Sequence, residues 1–589
     1  MRSARQATAT LLVLAALAPL AAQAPSDDIV LRAMRDEIVR AKQLAIAGVE
    51  RPYYIEFALE DSQNASIVCS AGALISSVEN LQRTVRVQVR VGDYSFDNTN
   101  YVFSDFFGGR QTGTRAPAEN VYGALRHAFW LAADRSYKGA LEAIARKRAA
   151  LRNLTVQDKL DDFSKAEVVR VHMPVERVPI DRDGWAQRLK ELSAVLAAET
   201  RVHSSTVDLE VAQAIQYFLD SEGTETRTPE TIFAVRLRAE GQAGDGMPVR
   251  DSLVMQARSL AALPPAAEMR RRSEQVARNV AALSAAPPGE DYAGPVLVEG
   301  VAAPQLIAQV LGANLHLPRR PVTEPGRPHP SAPASELEGR IGSRIMPDWM
   351  DVLDDPAQER WRGIELFGYY RVDMEGVVPR PVLVVEKGVV TTYLTTRQPV
   401  RGFPDSNGRA RLTGMFGAKT AAISNLFVKA RQAVPAASLR QQFIEMIRQR
   451  AKPYGMILRK LDFPSTMPIE ELRKLSASGS ERGGGGRLLS PPVLAYRVYP
   501  DGREELVRGL TIRGMTVRSL RDIVAASDED EVFSFMNNTA PLAVIAGASY
   551  VTASAVVAPA LLLEDMELEK RTEDWPKLPV VPPPQPSGH

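Results

Sequence analysis

Apolar and polar positions alternate along this chain with two distinct periods. Val85, Val87, Val89 and Val91 are interleaved with Arg86, Gln88 and Arg90. That period of two predicts a strand with one buried and one wet face. Val30, Met34, Ile38, Ala41 and Ala45 recur at helical spacing behind Ser26-Asp27-Asp28, where a capping hydroxyl is followed by acids that complement the helix dipole. Gly48 suits the stop of that helix. Similar spacing predicts helices over 118–153, around Trp185, Leu189, Leu192 and Leu196, over 250–283 and 304–315, and within 421–451. Strands are predicted at 53–60, 205–212, 231–240, 296–298, 493–500, 503–507 and 542–563. The stretch 363–412 reads as strand-rich, with turns at Glu375-Gly376 and Lys387-Gly388. Strand–helix–strand alternation is not sustained, so the expected class is α+β, a mixed N-terminal domain followed by a β-rich C-terminal one.

The chain has 589 residues, more than one hydrophobic core usually serves. Ala286-Pro287-Pro288-Gly289 is the expected break between domains at 26–286 and 290–570. Six prolines within 318–335, four glycines at 483–486 and the Pro-rich tail of 571–589 predict mobile segments. Residues 1–22 read as a secretory signal: Arg2 and Arg5, an apolar run over 11–18, then small residues up to a cleavage after Ala22. The apolar run is shorter than the ~20 residues that cross a bilayer. The expectation is an exported protein, periplasmic or extracellular, without a stable membrane span. Lys and Arg number 72 against 70 Asp and Glu, and removing Arg2 and Arg5 leaves 70 of each. No basic surplus argues for a nucleic-acid partner.

Chemistry is sparse. Cys69 is the one cysteine, and the six histidines are scattered, with no pair at metal-ligand spacing. The chain has no nucleophile elbow, P-loop or H-E-x-x-H. The glycine run at 483–486 has no lysine placed to hold a phosphate. Asp93, Asp97 and Asp105 flank a strand end, where turn chemistry competes with ligation of a hard cation and is favoured over it. Asp354-Asp355-Pro356 and Asp373-x-Glu375-Gly376 offer paired carboxylates for acid–base work, against the plainer reading of turns and caps. His127, beside Phe129 and Trp130, reads as a packed structural residue.

Taken in order and spacing, Asp354-Asp355-Pro356, Asp373-Met374-Glu375-Gly376-Val377, Val382-Leu383-Val384-Val385-Glu386-Lys387-Gly388-Val389 and Ser406-Asn407-Gly408-Arg409 resemble the ordered motifs of the TldD/PmbA metallopeptidase family. The resemblance implies a two-domain fold of that type. In active members it implies an H-E-x-x-x-H helix holding zinc, with the Glu activating the metal-bound water and a Cys near the C-terminus as a further ligand. PmbA-type subunits lack that motif and pair with an active subunit. The matching helix here places Ala308 and Ala313 where the histidines would stand and Gln309 in place of the Glu. No cysteine follows Cys69. The resemblance therefore implies no catalytic residue at these positions and no zinc. Gln309, Asp354, Asp355, Asp373, Glu375, Asn407 and Arg409 remain as the candidate cleft. The expected role is a PmbA-like subunit in a homo- or heterodimer with a TldD-like peptidase, binding extended peptides. The alternative is an exported peptide-binding protein that acts without a catalytic partner.

Overall fold

A computed structural model describes residues 28–102, 113–152, 159–317, 319, 321–323, 335–413, 419–463, 489–536 and 553–575. The signal segment, Asp105, the glycine run, the tail beyond 575, most of the Pro-rich stretch and the first half of the strand predicted at 542–563 lie outside the described residues.

The N-terminal part runs α1 (Ile29–Ala41), β1 (Pro52–Ser70), β2 (Ala73–Val91), β3 (Tyr101–Val102), β4 (Thr114–Ala116), α2 (Tyr122–Leu151), β5 (Arg170–His172), α3 (Arg182–Ala197), β6 (Ser204–Asp220), β7 (Glu225–Gln242), β8 (Pro248–Ala257) and α4 (Ala266–Ala285). The C-terminal part runs β9 (Tyr292–Val298), α5 (Ala302–Val310), β10 (Val322–Thr323), β11 (Met350–Asp354), β12 (Arg360–Trp361), β13 (Ile364–Glu365), β14 (Val382–Glu386), β15 (Val389–Val390), β16 (Ala410–Thr413), β17 (Lys419–Ala421), β18 (Asn425–Ala430), α6 (Ala436–Gln449), β19 (Gly455–Leu461), β20 (Pro492–Val498), β21 (Glu504–Val507), β22 (Leu510–Arg513), β23 (Ile523–Met536) and β24 (Ala553–Lys570).

The first sheet is built on long antiparallel hairpins in the order β4-β2-β1-β6-β7-β5, with β8 also paired to β7. Ala71 and Gly72, both at positive φ, close the β1–β2 hairpin as a two-residue turn. Period two then sorts the faces. Ile55, Phe57, Leu59 and the four valines of β2 lie under α1 and α2, where Phe57 stacks on Phe129. Ile67, Val207, Leu209 and Phe233 lie under α3 and α4. The opposite face is not the wet face that the alternation predicts. Gln88 and Arg90 are buried, as are Glu56, across from Gln88, and Glu60, across from Thr84, because loops and the C-terminal part cover this side.

The second sheet runs β15-β14-β11-β18-β24-β9-β19-β20-β21, with β22 and β23 also on β24. Along β9, Val296 and Val298 face the core shared with α5, while Leu297 faces Phe443 and Ile447 of α6. The architecture is the expected α+β.

Several predicted elements change. The helix predicted over 250–283 is strand β8 followed by α4, which starts directly after Pro265. The segment 421–451 holds β18 before α6, and Pro435 caps that helix. Asp28 caps α1 by accepting the Leu31 N–H, and the helix stops at Ala41. His127 is exposed beside Trp130 rather than packed.

Candidate functional site

The resemblance assigns the zinc-ligand positions to α5 and the turn after it. Ala308 is buried in the core of the second sheet, and Ala313 lies in the short 3-10 turn that follows. The Gln309 carboxamide is engaged on both sides: its oxygen accepts the Ser490 N–H at 2.9 Å and its nitrogen donates to the Gln305 carbonyl at 3.2 Å. One turn earlier, Gln305 accepts the Leu461 N–H at 2.8 Å. The two glutamines thus pin the end of β19 and the approach to β20. Two methyl groups and a committed amide do not fit zinc, which takes Cys, His or carboxylate donors.

Of the other candidates, Asp354, Asp373, Glu375, Asn407 and Arg409 form one buried network, and Gln309 takes no part in it. Arg409 and Asp354 are both fully buried and meet at 2.6 Å. Asp354 also accepts Ser424 N–H at 2.8 Å and Ser424 Oγ at 2.5 Å. Asp373 accepts the N–H groups of Glu375, Val377 and Ala410 at 2.8, 2.9 and 3.0 Å. Asn407 accepts the Thr395 N–H and donates to the Tyr393 carbonyl, both at 2.8 Å. Asp355 accepts the Ala357 N–H, a local cap. Near the N-terminus, Asp93 is a turn acid, as the sequence suggests. Asp97 is not a simple turn residue: it is buried and ion-paired to Arg90 at 2.7 Å.

The network continues through residues that sequence reasoning did not single out. The buried Arg397 donates its backbone N–H to Glu375 at 2.6 Å. Its guanidinium reaches the Ser164 carbonyl at 2.7 and 2.9 Å and Glu222 at 2.8 Å, and it lies 4.1 Å from the Phe163 ring centre. Tyr94 donates to the same Glu222. Lys419 meets Glu56 of β1 at 2.6 Å. The contacts of Arg397 with Ser164 and Glu222, and of Lys419 with Glu56, join residues 175 or more positions apart, so no local spacing announces them. Burial pushes the Glu375 carboxyl up to about 7; the Lys419 charge opposes this and the nearby Asp373 adds to it. Burial also raises Asp373, against the three backbone donors. Asp220 is raised to about 6 by burial, against the Thr224 and Gly223 N–H groups. The arrangement clamps the first sheet to the loops of the second. It aligns no nucleophile with a base.

Residues 331–453 match the family described as PmbA/TldA metallopeptidase C-terminal domain. A metalloprotease of Methanothermobacter thermautotrophicus is 27% identical over 223 residues, which covers 35% of this chain and 45% of that protein. The metalloprotease MJ0996 of Methanocaldococcus jannaschii is 29% identical over 96 residues, 16% of this chain and 20% of that protein. The chain thus matches less than half the length of these curated relatives. Among solved structures, TldE from Thermococcus kodakarensis aligns with a TM-score of 0.55 at 12% identity, over 91% of this chain and 100% of that one. Protein TM0727 of Thermotoga maritima aligns with a TM-score of 0.55 at 14% identity, over 91% and 99%. At these identities the structural likeness shows the fold.

Proposed function

Given that the chain belongs to the TldD/PmbA metallopeptidase family, we propose that it is a zinc-free, PmbA-like subunit. In this reading it pairs with an active zinc peptidase and helps to hold extended peptides for proteolysis. The observation that carries the reading is the state of α5: Gln309 stands where the general base would be, and its amide is spent on Ser490 and Gln305. A neutral amide cannot take a proton from water, and the methyl groups of Ala308 and Ala313 offer no lone pair. The candidate carboxylates support the same reading, since Asp354 and Asp373 are occupied by an arginine, a serine and backbone donors. An extended peptide is a suitable ligand for such a scaffold, because main-chain bonds to a strand edge hold any sequence. The first 22 residues are proposed to direct export. A peptide-binding role without a catalytic partner is the alternative.

The test is purification of the full chain from its native host, with metal analysis and identification of co-purifying proteins. A peptidase of the same family in stoichiometric complex, carrying the zinc, is the expected result. A lone chain that hydrolyses peptides with its own bound zinc refutes the proposal. A lone, metal-free chain that binds extended peptides supports the alternative.

A further inference from the structure

The contact between the two sheets carries a surplus of negative charge, four of its five carboxylates buried and Glu222 half-buried. From the first sheet and its turns come Glu56 on β1, Asp220 at the end of β6 and Glu222 in the following turn. From the second part come Asp373 and Glu375. Against these five carboxylates stand two cations, Arg397 and Lys419. The other charges nearby are engaged elsewhere: Arg90 with Asp97, Arg409 with Asp354 and Arg411 with Glu230. Lys165 is exposed and lies over the Tyr94 ring. The hydroxyls of Tyr54 and Tyr94 donate to Glu56 and Glu222.

The geometry shows where the imbalance falls. Asp220 Oδ2 and Arg397 Nη1 face each other at 3.9 Å, both side chains fully buried, and neither atom has a hydrogen-bond partner among the described residues. Glu375 receives a single backbone N–H, from Arg397. Gly376, at φ +77°, lies directly on Phe218 and Thr224, leaving no room for a shielding side chain. Buried like charges without enough counter-charge favour the neutral acid.

We propose that this seam is a pH-operated latch between the two sheets: protonation of its surplus carboxylates closes it, and their ionisation above neutrality loosens it. The latch is independent of the subunit role proposed above, since it lies wholly within one chain. The sign follows from the direction of the shifts. Glu375 and Asp220 are both raised by burial, so their contribution to closure is full at acid pH and is lost as pH rises through about 6 to 7. If Glu375 returns to its ordinary value near 4.5 on opening, it alone raises the opening equilibrium about tenfold between pH 6 and pH 8.

Hydrogen exchange of the full chain, read by mass spectrometry and corrected for intrinsic rates, tests this. The reporters are the amides of Arg397, which bonds Glu375, and of Gly223 and Thr224, which bond Asp220. Their opening is expected to rise about twentyfold from pH 6 to pH 8 in wild type, where the Glu375 and Asp220 factors multiply, and about twofold in Glu375→Gln, where Asp220 alone titrates. Asp530→Asn removes a raised carboxylate outside the seam and is expected to leave the wild-type rise intact. A wild-type seam that opens equally at both pH values overturns the proposal. So does a Glu375→Gln chain that keeps the full rise, or one already as open at pH 6 as wild type is at pH 8, because the carboxyl then acts only as a structural acceptor.

Discussion

Replacing Arg409 tests whether the family-like motif residues act as scaffold. Arg409 is fully buried and makes four bonds: Nε to Asp354 Oδ1 at 2.6 Å, Nη1 to the Asn407 carbonyl at 2.6 Å, and Nη2 to the carbonyls of Arg380 and Asp354 at 2.6 and 3.2 Å. Arg409→Met keeps the apolar stem and removes all four. Asp354 retains Ser424 but becomes an uncompensated buried charge. Breaking such a pair from one side costs roughly 3–5 kcal/mol. In urea unfolding followed by the fluorescence of Trp349 and Trp361, that cost lowers the midpoint of the C-terminal transition by roughly 1–2 M. The double variant Asp354→Asn/Arg409→Met removes the charge as well as its partner, and it is expected to recover part of the loss. A single variant that unfolds within about 0.3 M of wild type, or a double variant no better than the single, would refute the reasoning.

Two further substitutions probe separate links. Gly376→Ala places a methyl 2.7 Å from Thr224 Cγ2 and 2.8 Å from Phe218 Cε1 at a positive φ; a loss of roughly 1–3 kcal/mol is expected in thermal or urea unfolding, and an unchanged midpoint contradicts the close packing of the seam. Gln309→Ala strips the Ser490 N–H of its acceptor and is expected to cost about 1–2 kcal/mol, with faster exchange of the Ser490 amide as the direct check.

Period-two and helical patterns located the long elements because one face of each is apolar. The four valines of β2 and the α3 leucines are buried as their spacing requires. Two errors share a cause. In 250–283 and 421–451 a short strand precedes a helix, and one averaged pattern hid the change of period. The missed signals were Pro265 and Pro435, each of which stands directly before the first helical residue. The polar face of the first sheet was read as wet because alternation reports polarity, not exposure. Its arginines and carboxylates are buried by loops far away in the chain, so only the tertiary structure shows what covers them. The candidate cleft was legible in part: the spacing of Asp354, Asp373, Glu375, Asn407 and Arg409 marked residues that do meet. Their partners Arg397, Glu222, Ser164 and Lys419 carried no local mark.

The same contacts separate what the fold requires from what α5 carries. The fold depends on Asp354, Asp373, Asn407 and Arg409, which are consumed in backbone and ionic bonds and hold β11, β16 and the connecting loops in register. None of those bonds passes through α5. On α5 itself, Ala308 fills a core site without a polar atom, and Gln309 carries an amide that both donates and accepts a hydrogen bond. No buried charge or orphaned group remains at these positions to destabilise the helix. Alanine and glutamine at these α5 positions therefore carry little structural cost, whereas loss of Asp354 or Arg409 leaves the other as a buried charge without its counter-ion. On this argument, variation at these α5 positions is tolerated by the fold better than variation in the Asp354–Arg409 pair, which is the asymmetry that the Gln309 and Arg409 substitutions measure.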